Sequence, residues 1–99
     1  MKLKYTEQSL ISLEETLNFL APKIMHEKLI EIRDGILKAA ESLEENPYIG
    51  QLEPCLVHLE LGHRRIIKDN YKFVYRVINQ YVYVTDIFDT RQDPAKMKG

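Results

Sequence analysis

The chain has one cysteine, Cys55, no tryptophan, and only four glycines and four prolines among 99 residues. A lone cysteine rules out an internal disulfide and cannot by itself hold zinc. Cys55, His58 and His63 are near one another in sequence but lack a second ligand pair, so no metal and no cofactor is expected; Cys55 is read as a small, partly buried hydrophobe. Glycine-rich phosphate loops, Ser/His/Asp sets and paired-carboxylate patterns are missing. No apolar run reaches the roughly 18 residues that span a bilayer. The longest candidate, 73–88, is interrupted by Arg76 and Asp86. The start, Met1-Lys2-Leu3-Lys4-Tyr5, lacks the apolar core of a signal peptide, which makes the cytoplasm the expected compartment. Repeats and linkers are absent too, and the length suits a single domain over 1–99.

Net charge is also scarce, at −1, but it is unevenly placed. Up to Glu45 there are six Lys/Arg against nine Asp/Glu, or −3; from Asn46 onward there are eight against six, or +2. Within 62–76, Arg64, Arg65, Lys68, Lys72 and Arg76 face only Asp69. Clustered charge of this kind sets the local field even where the total is near zero.

Hydrophobic periodicity divides the chain in two. Leu3-Lys4-Tyr5-Thr6 alternates as a first strand does. Leu10, Leu13, Leu17 and Leu20 recur at helical spacing, with Glu7 in the first turn. Ala21-Pro22 breaks that pattern, and Pro22 is placed early in a second helix. Met25, Leu29, Ile32, Ile36, Ala39/Ala40 and Leu43 form its apolar stripe, and Asn46-Pro47 stops it. The two helices form an antiparallel hairpin. After a loop over 48–54, segments 63–67, 71–78 and 81–89 are rich in β-branched and aromatic residues. Asp69-Asn70 and Asn79-Gln80 are the turns between them. The expected fold class is therefore α+β, in the order βααβββ, with an N-terminal helical hairpin packed on one face of a small antiparallel sheet.

A two-residue turn at Asn79-Gln80 sets the cross-strand register and so divides the sheet residues between faces. Tyr71, Phe73, Tyr75 and Val77 then lie beside Val82, Val84 and Phe88, a face for the helices that is apolar apart from Asp86. Lys72, Val74, Arg76 and Ile78 lie beside Tyr81, Tyr83, Thr85 and Ile87, with Arg65, Ile67 and, at the end, Asp89 and Arg91. No element remains to cover this second face, so it is expected to be open, mixed apolar and basic, as binding surfaces are. Arg76 opposite Tyr83 suggests a guanidinium stacked on the ring.

These strings carry a resemblance. Arg64-Arg65-Ile66-Ile67-Lys68-Asp69-Asn70-Tyr71-Lys72-Phe73-Val74-Tyr75-Arg76-Val77 resembles the "RR…GxYRxxYRV" core of the RelE/ParE superfamily of toxins from type II toxin–antitoxin modules. Phe88-Asp89-Thr90-Arg91-Gln92-Asp93-Pro94 resembles its closing "RRDP/RQDP" signature. Leu43-Glu44-Glu45-Asn46-Pro47-Tyr48-Ile49-Gly50 resembles its link between helix and sheet. The resemblance covers essentially the whole chain. It implies a plasmid-stabilisation-type toxin neutralised by a ParD-like antitoxin, with DNA gyrase as the target in the ParE-like branch. The RelE-like branch implies instead ribosome-dependent, metal-independent cleavage of mRNA. A third reading is a non-toxic member that acts only as the antitoxin's partner.

Matched to the nuclease pattern, Lys72 takes the strand position usually held by arginine and Arg91 the C-terminal arginine, while Arg64 and Arg65 stand loosely for the lysines. The tyrosine expected six residues after Arg91 is replaced by Met97. On the nuclease reading Arg65, Lys72 and Arg91 would stabilise phosphorane charge, but no general base or acid is evident. The ParE-like reading is therefore preferred. It makes Arg65, Lys72, Arg76, Tyr83 and Arg91 contact residues for antitoxin or target. Against it stands a structural alternative, in which the strand cations form ion pairs within the domain and Arg91 latches onto Asp89 or Asp93.

Overall fold

The computed structural model describes residues 1–99. It begins with β1 (Lys2–Tyr5), which runs directly into α1 (Glu7–Leu20). Thr6 makes that junction, since its extended backbone leaves the Oγ1 free to accept the Ser9 amide at 3.2 Å. A side-chain cap of this type typically contributes about 1 kcal/mol. Leu13 is buried beneath α1, Leu17 is half-buried, and Leu10 is 49% exposed. The leucine stripe is thus only partly the core face.

The second helix, α2 (His26–Glu41), starts later than Pro22 suggests. Backbone bonds from Ala21 to Leu17 and from Lys23 to Leu20 close the end of α1, so Pro22 lies in the turn. Met25 precedes the helix in an extended conformation and is 74% exposed, outside the stripe to which its spacing assigned it. Ile36 and Ala40 carry the burial, followed by Leu43 in the one-turn 3-10 helix Ser42–Glu44.

The expected α+β arrangement is present, with both helices on one face of a five-stranded sheet of order β1-β5-β4-β3-β2. The strands are β2 (Gln51–Leu52), β3 (Arg64–Lys68), β4 (Tyr71–Ile78) and β5 (Tyr81–Asp89). The last four strands are antiparallel, as two tight hairpins require, with Asp69 and Asn79 in the left-handed conformation at φ 56°. Two features lie beyond the expected plan. β2 occupies part of the segment read as loop, and β1 joins the free edge of β5 in parallel, so the sheet is mixed.

Register brings a correction. From Ile78↔Tyr81 to Tyr75↔Val84 the strands pair as the turn dictates, but then Val74 faces Asp86 and Phe73 faces Ile87. Thr85 is an extra residue, a β-bulge that reverses the sides of everything after it. Its hydroxyl donates to Val74 O at 3.3 Å, and its carbonyl accepts from Thr6 Oγ1 at 3.3 Å. Ile87 therefore joins the helix-side core of Leu13, Ile36, Ala40, Tyr71, Phe73 and Val84. Phe88 moves to the second face, where it packs with Val74, Leu56 and Met97.

That second face is not open along its length. The 3-10 helix Pro54–Leu59 supplies Leu56, and the tail around the 3-10 helix Pro94–Lys96 supplies Met97. Val74 is fully buried. The expectation that no element remained to cover this face overlooked how little chain is needed, one side chain from each irregular segment.

The link between helices and sheet closes on Gly50, whose amide donates to the buried Tyr75 hydroxyl at 2.9 Å. A β-carbon on Gly50 would stand 2.4 Å from Arg65 O and 2.6 Å from that hydroxyl. Gly50→Ala should cost about 3 kcal/mol, combining overpacking with a lost buried hydrogen bond. Tyr75→Phe, which loses only the bond, should cost about 1–2 kcal/mol. Urea midpoints of the two variants check the order; equal midpoints would show that close packing at Gly50 is unimportant.

Candidate functional site

Three of the cations singled out in the sequence lie on the second face, and two of them converge on a carboxylate. Glu53 follows β2 directly and is only 1% exposed. Lys72 Nζ stands 3.0 Å and Arg65 Nε 3.6 Å from its Oε2. The contact with Lys72 is a charge–charge one, since Oε2 receives no hydrogen bond of proper direction. Oε1 accepts the Cys55 amide at 3.2 Å, and Arg65 also donates to Leu52 O at 2.6 Å. Burial alone would raise the Glu53 pKa, but Lys72 and the Cys55 amide outweigh it and hold the carboxyl below its ordinary range. Arg65 and Lys72 are thus internally paired, and the segment after β2 is pinned on top of them.

Arg76 donates from Nε to Leu61 O at 2.9 Å, which draws its guanidinium toward the 59–63 loop. Tyr83 is its cross-strand partner, as the turn register dictates, but the expected stack of the guanidinium on that ring is not formed; Tyr83 packs against Tyr81 instead, 5.9 Å between centroids. Arg91 is elsewhere, beyond the end of β5, and forms a two-armed pair with Asp89 at 2.9 and 2.7 Å. Hydrogen bonding from Arg91, opposed by burial, keeps the Asp89 carboxyl below its usual range. Of the two readings offered for Arg91, the latch onto Asp89 is the contact present. With Arg91's side chain 57% exposed, this pair contributes only about 0–1 kcal/mol.

Two groups carried no signal that was used. Glu53 sits between Leu52 and Pro54 in a stretch read as loop, where an acid is ordinarily solvated. His63 is 3% exposed, and neither ring nitrogen has a hydrogen bond. Burial chiefly lowers its pKa. The nearby Gly99 backbone pulls the other way without a well-directed bond, and Arg76 adds to the lowering. Cys55, expected to be partly buried, is exposed, as is His58. Nowhere do three His, Cys, Asp or Glu side chains converge as a metal site would need.

A broad concavity lies between α1 and the end of β5 with the tail that follows. It measures about 1070 Å³ and includes Ile11, Glu15 and Phe19 of α1, Arg91, Lys96 and Lys98. Ile11 is 41% and Phe19 61% exposed, with Lys23 Nζ 3.5 Å over the Phe19 ring. These apolar residues, off the leucine stripe yet eight apart on one helix, were the overlooked sequence signal. Ile11, Phe19 and Leu20 are apolar points on an otherwise polar helical wall, and with Lys96 and Lys98 opposite they fit an amphipathic segment with an acidic flank.

No family model matches the chain, and no curated protein matches it by sequence. Among solved structures it is similar to a chain of the "Chromosomal ParDE TA system from P. aeruginosa". The TM-score is 0.75 at 20% identity over 90% of this chain and 95% of that one. The likeness establishes the fold. No helix is long and apolar enough to cross a membrane.

Two stability outcomes follow from the buried charges. Glu53→Gln leaves Lys72 and Arg65 without their counter-charge and should cost about 3 kcal/mol in urea unfolding. A loss under 0.5 kcal/mol would show the cluster to be solvated. For His63, a folded pKa depressed below 6.5 means that its contribution is fully present above pH 6.5 and is lost as pH falls below it. Wild-type stability should fall between pH 6.5 and 5, by at most about 1.4 kcal/mol per pH unit from this group. His63→Leu should flatten that stretch, and an unchanged slope would remove His63 as its source.

Proposed function

We propose that the chain is the toxin of a type II toxin–antitoxin module, held inactive by a cognate ParD-like antitoxin and directed at DNA gyrase. The observation that carries this reading is the fold shared, nearly end to end, with a chain of a ParDE system. The three sequence strings quoted above support it, each falling on the element that the pattern requires. The antitoxin docks in the α1 groove, its apolar face on Ile11 and Phe19 and its acidic residues toward Lys96 and Lys98. Arg76 and Tyr83 remain on the second face for the target, beside the cover that Arg65 and Lys72 hold through Glu53.

The nuclease reading is weakened by the Glu53 cluster. Cleavage through a 2′-hydroxyl needs free cations at the phosphorane and groups that move protons near neutral pH. Arg65 and Lys72 are spoken for by Glu53, and Arg91 by Asp89. His63 lies buried, and burial, reinforced by Asp89, raises the Tyr71 hydroxyl above its ordinary value of 10.0.

Induced expression in bacteria with separate pulse-labelling of DNA and protein synthesis tests the target. Early loss of DNA synthesis with filamentation is the expected result. Early loss of protein synthesis with cut mRNA would overturn it in favour of the nuclease, and normal growth would leave only the non-toxic partner. For the dock, Phe19→Asp should weaken antitoxin binding at least tenfold, the scale of a central apolar anchor. Unchanged affinity would move the antitoxin off the groove.

A further inference from the structure

One corner of the second sheet face stays uncovered by the 54–59 helix and the tail. The registers place Lys2 and Lys4 of β1, Tyr81 and Tyr83 of β5, and Arg76 and Ile78 of β4 side by side there. The two lysines are exposed and the other four residues half-buried. Lys4 Nζ lies 4.6 Å over the Tyr81 ring, and the tyrosine rings are tilted by 53°. Lys2, Lys4 and Arg76 take part in none of the chain's ion pairs. Both buried acids of this face are engaged away from the corner: Glu53 faces Lys72 and Arg65, and Asp86, 2% exposed, accepts the Ile87 and Lys98 amides. The corner is therefore aromatic and singly signed, and what it takes must be anionic and offer flat apolar surface.

An acidic peptide added as a strand along β1 satisfies the charge but not the backbone. The outward amide of Leu3 is bonded to Glu44 Oε2 at 3.2 Å, and the Met1 amino group to Glu44 O at 3.0 Å. The edge is thus blocked at the middle of a four-residue strand. The face itself is free. Rings on alternate residues of one strand, flanked by cations, are what unpaired bases and their phosphates require.

We propose that this corner binds a single-stranded nucleic acid, with bases stacked on Tyr81 and Tyr83 and the backbone passing Lys2, Lys4 and Arg76. The contact is a binding one that uses neither Arg65, Lys72 nor Arg91; it shares Arg76 and Tyr83 with the face left to the target on the toxin reading, and goes beyond that reading without depending on it. With at most three phosphates neutralised, the logarithm of affinity should fall with that of salt at a slope of about two.

The test is fluorescence anisotropy of the full chain, at low salt, with labelled ~12-nucleotide oligothymidylate and oligouridylate. Saturable binding to either supports the proposal, and the stronger of the two names the sugar. Tyr83→Leu and Tyr81→Leu should each weaken it at least about fivefold, whereas Tyr81→Phe, which keeps the ring, should retain it. Thermal melts confirm that each variant is folded. Three outcomes overturn the proposal: no binding by ~100 μM protein, the upper end of non-specific affinities; equal affinity in the leucine variants; or tighter binding of duplex DNA or an oligoglutamate. The readout involves neither antitoxin nor growth, so either proposal can fail alone.

Discussion

The extra residue at Thr85 is the constraint on which most of the structure turns. β5 is an interior strand, paired with β1 on one side and β4 on the other, so a one-residue slip within it reassigns both faces at once. Before the bulge, Val82 and Val84 face the helices; after it, Ile87 does, while Asp86 and Phe88 face away. The bulge is stable because its polar groups are satisfied, the carbonyl by Thr6 and the hydroxyl by the Val74 carbonyl. Thr6 also caps α1. One threonine thus ties the start of the helical layer to the point where the sheet changes sides.

The consequences reach the surface. Phe88, turned to the second face, needs covering, and Leu56 and Met97 cover it. Asp86, turned the same way, fixes the tail by accepting the Lys98 amide at 2.8 Å. With the tail held there, the end of β5 and α1 enclose the groove, and only the half of the second face before the bulge remains open. Two candidate surfaces, the groove beside the end of β5 and the open corner of the second face, thus follow from a single irregularity.

The same irregularity explains what was legible in the sequence. The hairpin turns were, because Asp69 and Asn79 are residues that tolerate left-handed backbone, and the register they set holds from Ile78 back to Tyr75. The α+β class and the order of elements were legible from periodicity. A bulge leaves no compositional trace, since Thr85 suits a regular strand equally well. For that reason regular alternation puts Asp86, Ile87 and Phe88 each on the wrong face, and makes a half-covered surface look wholly open. The candidate site was less legible than the fold. Arg65, Lys72 and Arg76 were placed on the correct face, but their partners, Glu53 and the Leu61 carbonyl, come from irregular segments where no period operates. Ile11 and Phe19 were visible and unexplained, because the leucine stripe on the same helix had already accounted for its burial.

The Glu53 cluster is best understood as a positional device. Burying a carboxylate with two cations is rarely more stabilising than an apolar contact of the same volume, because desolvation offsets the attraction. What it does provide is direction. The segment 54–61 places Val57, Leu59 and Leu61 largely in solvent and buries only Leu56, so apolar burial alone would hold it weakly and in no particular register. Glu53, fixed between Lys72 and Arg65 on adjacent strands, sets where that segment leaves the sheet edge, and the Glu53 amide bonded to His63 O at 2.9 Å sets where it returns. The cations that resemble a nuclease's charge-stabilising set thus do a different task in this chain, holding a cover in place. On the second face, the cations left outside the ion pairs are Arg76, Lys2 and Lys4.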